Sequence, residues 1–170
     1  MPGYVIHVAI AQEYMRKHKN KKENYHEFVE GVIMPDLIRP KSESHYGITP
    51  AYTNLKKFLD NNSLDNSLNR GKFLHLIADY LFYNFYLEKF SKEYIYDDYD
   101  ILNKSLIEKY NVKLPEIVKD SVFFKEGEAK ILSLDLAHRV IDEISELDID
   151  NVKDEVLKND KKWNTYKNLT

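Results

Sequence analysis

Apolar residues recur on nearly every side of one long segment in the middle of the chain, about residues 66–90. Leu74, Ile77 and Leu81 follow helical spacing, and aromatic residues fill the flanks. A helix that is apolar all round is a buried helix, so the pattern predicts a central helix packed inside others. His75 and Asp79 interrupt it four positions apart, which places both on one face within about 6 Å. A buried carboxylate needs a charged partner or a metal ion, so we expect polar residues from other segments to contact this pair.

The flanking segments show the amphipathic periodicity of helices. Two prolines, Pro35 and Pro40, are expected to end the second helix and to leave an irregular loop over residues 31–47 that carries Asp36 and His45. The pattern contains no alternation typical of strands and no repeat. It predicts an all-α fold, a compact multi-helix bundle forming one domain over residues 1–170. The helices are expected at about residues 4–17, 23–31, 49–59, 66–90, 98–110 and 128–147, with a short segment at 115–124 and a polar helix at the end.

Composition narrows the possible functions. The 170 residues include only five Gly and five Pro, which favours long helices, and no Cys, which excludes disulfides and thiol catalysis. A net charge of −3 gives no electrostatic reason to expect non-specific binding of nucleic acid. Neither a secretory signal nor an apolar stretch of about 20 residues is visible, so we expect a cytoplasmic protein. The oligomeric state is left open.

Five polar residues fall in apolar or loop contexts in the first half of the chain. Imidazole and carboxylate groups together are the ligands of divalent first-row metals, zinc first, with iron or manganese as alternatives. A single His-x-x-x-Asp pair is more often a buried ion pair, so the hypothesis of a metal site depends on the whole group. The remaining histidines of this half, His18 and His26, are expected at the surface. The five candidate ligands are His7, Asp36, His45, His75 and Asp79.

These residues resemble those of a known family, the zinc-dependent phospholipase C domain, whose all-helical architecture is shared with fungal single-strand zinc nucleases. The resemblance covers about residues 1–90. It is carried by Met1-Pro-Gly-Tyr-Val-Ile-His7, Met-Pro-Asp36, His45 and Gly-Lys-Phe-Leu-His75-Leu-Ile-Ala-Asp79. The resemblance implies that Asp36, His45, His75 and Asp79 hold one metal ion, and that Asp79 bridges to a second ion, which His7 also binds.

Two features depart from the family pattern. Secreted members chelate a metal through an N-terminal Trp, whereas this chain begins Met-Pro-Gly. Members with three metals use later histidines and a His-x-x-x-Glu pair, for which this chain offers only His138 and Asp142. These two are weaker ligand candidates, and the alternative is an ordinary ion-paired His at the edge of the core. The number of ions therefore stays between one and three.

The function expected from this set is hydrolysis of a small phosphate mono- or diester through a metal-bound hydroxide, with Asp79 and His75 as the catalytic residues. One alternative is a non-catalytic helical binding or scaffold protein with a structural or vestigial metal site. A second is a His-Asp-type phosphohydrolase, which depends on an adjacent His-Asp dipeptide that this sequence lacks. Four cations near the ligand segments are candidate receivers of phosphate oxygens, or else solvated surface: Arg39, Lys41, Arg70 and Lys72.

Overall fold

A buried central helix organises the molecule, as the apolar pattern predicts. The computed structural model describes residues 3–167, which contain helices and no strand, so the all-α expectation is confirmed. The central helix runs over Ser67–Leu81 and continues as one π-helical turn, Phe82–Tyr86. The α-helices of the described residues are α1 Gly3–Lys17, α2 Tyr25–Leu37, α3 Lys41–His45, α4 Leu55–Asn61, α5 Ser67–Leu81, α6 Lys92–Tyr110, α7 Glu116–Lys119, α8 Leu134–Ile144 and α9 Ile149–Leu157.

The closest packing in the molecule joins α2 to α5, and two glycines make it possible. A Cβ on Gly31 would lie 2.1 Å from the Leu68 carbonyl oxygen, and one on Gly71 would lie 2.2 Å from the Phe28 carbonyl oxygen. Neither distance is sterically possible, so only glycine allows the two backbones to approach this closely. The crossing sets α2 directly against the face of α5 that carries His75.

The end of α2 differs from the sequence expectation. The helix continues through Pro35 to Leu37, so Asp36 lies in its last turn rather than on an irregular loop. Pro35 removes only one backbone donor there, and the Ile38 N–H still bonds the Met34 carbonyl at 3.2 Å. Packing of α2 on α5 outweighs that loss of one hydrogen bond. The expected loop also contains a one-turn helix, α3, which ends at His45.

Other predicted helix boundaries were wrong because of helix caps and of one buried side chain from a distant segment. The helix expected from Thr49-Pro50 begins only at Leu55, because the Asn54 side chain caps it by accepting from the Lys57 N–H, while residues 50–52 form a 3₁₀ turn. The helix expected from residue 128 begins at Leu134, behind a Ser133 cap. The segment before it is held as a non-helical strap by the buried side chain of Asp98, on a helix that starts earlier than expected.

Within residues 3–167, every helix is too short or too polar to cross a lipid bilayer.

Candidate metal centre

Three helices bring four predicted ligands to one buried point. Asp36 comes from the last turn of α2, His45 from the end of α3, and His75 and Asp79 from the middle of α5. Asp36 is 3% exposed and the other three are fully buried. One ligand atom from each residue lies within 4.8 Å of all the others. These four residues, here called the metal cluster, could therefore hold one metal ion.

Five of the distances inside the metal cluster lie near those around a bound transition metal. Ligand bonds of about 2.0–2.1 Å place neighbouring atoms about 3.4 Å apart in a tetrahedral site. The His45 Nε2 atom lies 3.2 Å from His75 Nε2 and 2.9 Å from Asp79 Oδ2. His75 Nε2 lies 3.2 Å from Asp79 Oδ2 and 3.5 Å from Asp36 Oδ1, and the last measured pair, His45 Nε2 and Asp36 Oδ1, is 3.7 Å apart.

Both histidines of the metal cluster have their other ring nitrogen held by a hydrogen bond. His75 Nδ1 lies 2.6 Å from the Val32 carbonyl oxygen, and His45 Nδ1 lies 2.7 Å from Ser44 Oγ, which also contacts the Lys41 carbonyl. A carbonyl only accepts, so the Nδ1 atom of His75 carries the proton. The Ser44 hydroxyl can accept from His45 Nδ1 or donate to it, so this contact holds the His45 ring in either tautomer. The Nε2 atom of each ring faces the carboxylates, and its other nitrogen is held by a hydrogen bond, as in metal-binding histidines.

His7 lies beside the metal cluster, on α1. Its Nε2 atom is 3.1 Å from Asp79 Oδ1, the carboxylate oxygen that does not face His45, and its ring stacks on His75 at 3.8 Å between centroids. His7 thus contacts two members of the cluster at once. Its Nδ1 atom is buried without a hydrogen-bond partner, and the only other such side-chain atom among the described residues is Asp36 Oδ2. Unpartnered buried polar atoms are rare, and both of these belong to this one place.

The two carboxylates of the metal cluster stabilise positive charge on the groups around them. Burial opposes their ionisation, yet the pKa of Asp36 and of Asp79 lies below the ordinary range, and His75 is the described residue that contributes most to this. Burial alone would lower the pKa of His75, but Asp79 and Asp36 raise it to about 9. Burial lowers the pKa of His7 to about 4 and also lowers that of His45, so both rings are neutral at pH 7. Either a proton on His75 or a divalent cation balances the negative charge of the two carboxylates.

The candidate phosphate-binding cations occupy different positions. Lys41 Nζ lies 2.7 Å from Asp36 Oδ1, and the Lys41 side chain is 18% exposed, so this ammonium connects the metal cluster with the surface. Arg70 instead pairs with Glu23 and Asp150, away from the cluster. Arg39 is exposed just after α2, and Lys72 is half-buried one turn before His75.

The two later ligand candidates are not brought to the metal cluster. His138 packs edge-on against Tyr110, and Asp142 accepts a hydrogen bond from the Tyr110 hydroxyl. The Asp142 carbonyl also accepts from Lys17, at the far end of α1, ten residues or about 15 Å along that helix from His7. Both residues belong to the contact between α8 and its neighbours. The N-terminal departure at Met1 and Pro2 lies outside the described residues.

Sequence reasoning missed the groups that orient the ligands. Ser44 holds His45, the Val32 carbonyl holds His75, and Gly31 and Gly71 allow α2 to reach α5. The expectation that His18 lies at the surface was also incomplete, because it is half-buried, stacks on Tyr14 and contacts the Ser145 carbonyl at 3.0 Å. A signal was present for Gly71, which stands inside the predicted helix 66–90, where glycine costs about 1 kcal/mol unless a close approach requires it. Gly31 gave no such signal, because it stood at the predicted end of its helix.

In comparisons with known proteins, no family model, no curated protein and no solved structure matches this chain.

Proposed function

We propose that this protein is a metal-dependent phosphoesterase, related in its site to the zinc-dependent phospholipase C family, that hydrolyses a small phosphate ester. The observation that carries the proposal is the convergence of four buried ligand atoms from Asp36, His45, His75 and Asp79, with the Nδ1 atom of each imidazole held by a hydrogen bond. Two imidazoles and two carboxylates suit zinc best, with iron and manganese as alternatives. A divalent cation held there supplies Lewis acidity and lowers the pKa of a water molecule to about 7.

The residues of the chain have distinct roles in this proposal. His75 and Asp79 are fixed by α5 and need no movement to present their ligand atoms. His7 orients Asp79 through the oxygen that faces away from His45, the place where the resemblance implies a second ion bridged by Asp79. Lys41 is the cation that receives a phosphate oxygen, because it touches Asp36 and also reaches solvent.

A structural metal site is the second candidate function, and the burial of the metal cluster favours it. Exposure of 0–3% at all four residues leaves little room for a substrate beside the ion. Such a site would stabilise the junction of α2, α3 and α5 without turning over any ester. The two candidates share the same ligands and differ in activity alone.

The test measures metal content and hydrolysis on the same preparation. Protein purified without chelator is expected to contain at least one transition-metal ion per chain by mass spectrometry. It should hydrolyse p-nitrophenyl phosphate or bis(p-nitrophenyl) phosphate when zinc, manganese or iron is supplied. Asp79→Asn should remove both properties, whereas Asp142→Asn, a carboxylate change outside the cluster, should leave both intact.

Three results separate the candidates. Stoichiometric metal together with hydrolysis supports the phosphoesterase. Metal that raises the melting temperature without any turnover identifies a structural site. Absence of both metal and activity contradicts the metal centre itself. Lys41→Gln sharpens the first result, because loss of a phosphate contact should raise KM while metal content stays unchanged.

A further inference from the structure

An irregular segment after α9, residues 161–167, packs against the end of α5 that carries Asp79. It begins with a 3₁₀ turn over Lys161–Trp163, and the Trp163 side chain, 3% exposed, anchors it in the core. The Trp163 ring lies beside that of Tyr80, with the ring centroids 5.8 Å apart. Tyr80 directly follows Asp79 in α5, so segment 161–167 contacts the helix at the residue next to a member of the metal cluster.

Hydrogen bonds from two side chains fix this segment to α5. The hydroxyl of the buried Tyr80 lies 2.6 Å from the Lys162 carbonyl oxygen and 2.8 Å from that of Thr165, and it accepts the Thr165 N–H at 2.9 Å. Asn84, in the π-helical turn that continues α5, accepts the Lys167 N–H at 2.8 Å. Segment 161–167 is therefore held against the last turns of the helix that carries two metal-cluster residues.

The same segment also contacts the chain that holds His45. The Tyr166 hydroxyl donates to the carbonyl of the fully buried Thr53 at 3.0 Å. The next residue, Asn54, donates its backbone N–H to the His45 carbonyl at 3.1 Å. Two hydrogen bonds and one peptide unit thus connect the Tyr166 side chain to the backbone of His45.

A further contact joins the two sides of this arrangement. The Asn84 amide donates to the Ala51 carbonyl at 3.0 Å and to the Tyr80 carbonyl at 2.9 Å, and so ties the turn at residues 50–52 to α5. His45 ends a helix of one turn, which is too short to be stable through its own hydrogen bonds. The position of His45 therefore depends on the contacts of the chain around it, and segment 161–167 supplies part of them.

We propose that segment 161–167 holds His45 in position against Asp79 for metal binding, and that Tyr166 is a positioning residue of the metal centre. The inference rests on the metal centre proposed above and adds to it a segment far along the chain from the ligands. Without the Tyr166 hydroxyl, α3 occupies its binding position for a smaller fraction of the time. The apparent dissociation constant for the metal ion rises as that fraction falls.

Tyr166→Phe tests the proposal, because it removes the hydroxyl and keeps the ring between those of Tyr52 and Tyr80. Competition titration against a zinc chelator at 25 °C should find the affinity about 3–10-fold weaker, less than the effect of a group that bonds a ligand directly. The matched control is Tyr110→Phe, which removes a hydroxyl bonded to Asp142, away from the metal cluster. This control should bind zinc like the unaltered chain. A merely structural role of Tyr166 would lower the urea midpoint and leave the zinc affinity of the folded protein unchanged.

Hydrogen exchange of the metal-free protein gives a reading that does not require zinc. The Asn54 amide should exchange about threefold faster or more in Tyr166→Phe, because the bond to the His45 carbonyl opens more often, while the amides in the middle of α5 should not change. Combining Tyr166→Phe with Ser44→Ala should weaken zinc binding by less than the product of the single effects, since both act through His45.

The outcomes separate this role from the proposed function. Faster exchange at Asn54 together with weaker zinc binding in Tyr166→Phe supports the role. If the unaltered chain binds zinc and Tyr166→Phe binds it equally well, the role is overturned while the metal centre stands. Unchanged exchange at Asn54, or an equal loss of affinity in Tyr110→Phe, overturns it as well. An unaltered chain that binds no zinc contradicts the metal centre itself, and the role of Tyr166 with it.

Discussion

Two buried aspartates of this molecule have opposite surroundings. Asp98, on α6, accepts three backbone N–H groups, from Lys130, Ile131 and Leu132, at 2.7–2.9 Å. Asp79, on α5, is surrounded instead by imidazole nitrogens, those of His7, His45 and His75 at 2.9–3.2 Å. Both carboxylates are withdrawn from solvent.

The two aspartates differ in whether the groups around them can bind a metal ion. A backbone N–H is only a donor, so Asp98 is satisfied completely and its role is to hold the strap before α8. An imidazole nitrogen can lose its proton and bind a metal ion, so the neighbours of Asp79 and Asp79 itself can share one cation. Burial of a carboxylate therefore does not by itself indicate a metal site. The convergence of several groups with available lone pairs does indicate one.

The largest effect on stability should come from replacing Asp98, the aspartate with the structural role. Asp98→Ala leaves three N–H groups without their charged acceptor, and we expect a loss of roughly 3–5 kcal/mol in the free energy of unfolding, measured by urea denaturation. Metal content per folded chain should not change. Asp98→Asn, which keeps one carbonyl oxygen, should lose less and provides a folded variant if the alanine change is too severe.

Asp79→Asn should show the reverse pattern, with metal lost and the stability of the chelated protein changed less than by Asp98→Ala. Loss of bound metal from folded Asp98→Asn would contradict the division of roles between the two carboxylates.

Gly71→Ala tests whether the helix crossing builds the metal cluster. The added Cβ would overlap the Phe28 carbonyl oxygen, so α2 must move away from α5, and we expect a loss of about 1–3 kcal/mol together with weaker metal binding. Lys72→Ala, at the next position of the same helix, is the control and should alter neither. Calorimetric titration with zinc and urea denaturation measure the two effects. An unchanged zinc affinity in folded Gly71→Ala would show that the crossing does not position the ligands.

Ser44→Ala removes the hydroxyl that is hydrogen-bonded to His45 Nδ1 and leaves the ring itself in place. Groups that orient metal ligands typically contribute about 10–100-fold to affinity, so zinc binding should weaken by that factor. The free energy of unfolding of the chelated protein should fall by about 1 kcal/mol. If competition titration against a zinc chelator finds the affinity unchanged, the Ser44 hydroxyl does not orient His45.

Asp142→Asn should have the smallest effect. Its contact with the Tyr110 hydroxyl is exposed, and exposed polar contacts contribute about 0–1 kcal/mol. Metal content, zinc affinity and hydrolysis should match those of the unaltered chain. A loss of bound metal in this variant would indicate that α8 contributes a metal ligand, the possibility that the sequence left open.

The fold class and the five candidate ligands could be predicted because both depend on local pattern, whereas the grouping of four of them around one ion came from the resemblance alone. The stripe over α5 identifies a buried helix, and His75 and Asp79 share a face whatever surrounds them. Asp36 and His45 stood out because charged or ionisable groups occupied apolar or loop contexts. Their convergence was a hypothesis, which the positions of α2 and α3 now support with measured distances.

The rest depends on contacts between distant segments. Pro35 was expected to end α2 because its local cost is visible in the sequence, whereas the packing of α2 on α5 that outweighs it is not. Asp98 was missed for the same reason: its three partners lie 32–34 residues away. Gly71 was visible in the sequence as an exception to helix propensity, but neither its partner nor the role of Gly31 could be predicted from the sequence.

X-ray diffraction from crystals of the full chain, with data collected on either side of the zinc absorption edge, tests the central claim most directly. The expected result is one anomalous peak within about 2.0–2.2 Å of Asp36, His45, His75 and Asp79 ligand atoms. A second peak between Asp79 Oδ1 and His7 Nε2 would extend the site to two ions. Metal-supplemented crystals that show no peak at these four residues, while their side chains keep the same contacts, would contradict the account.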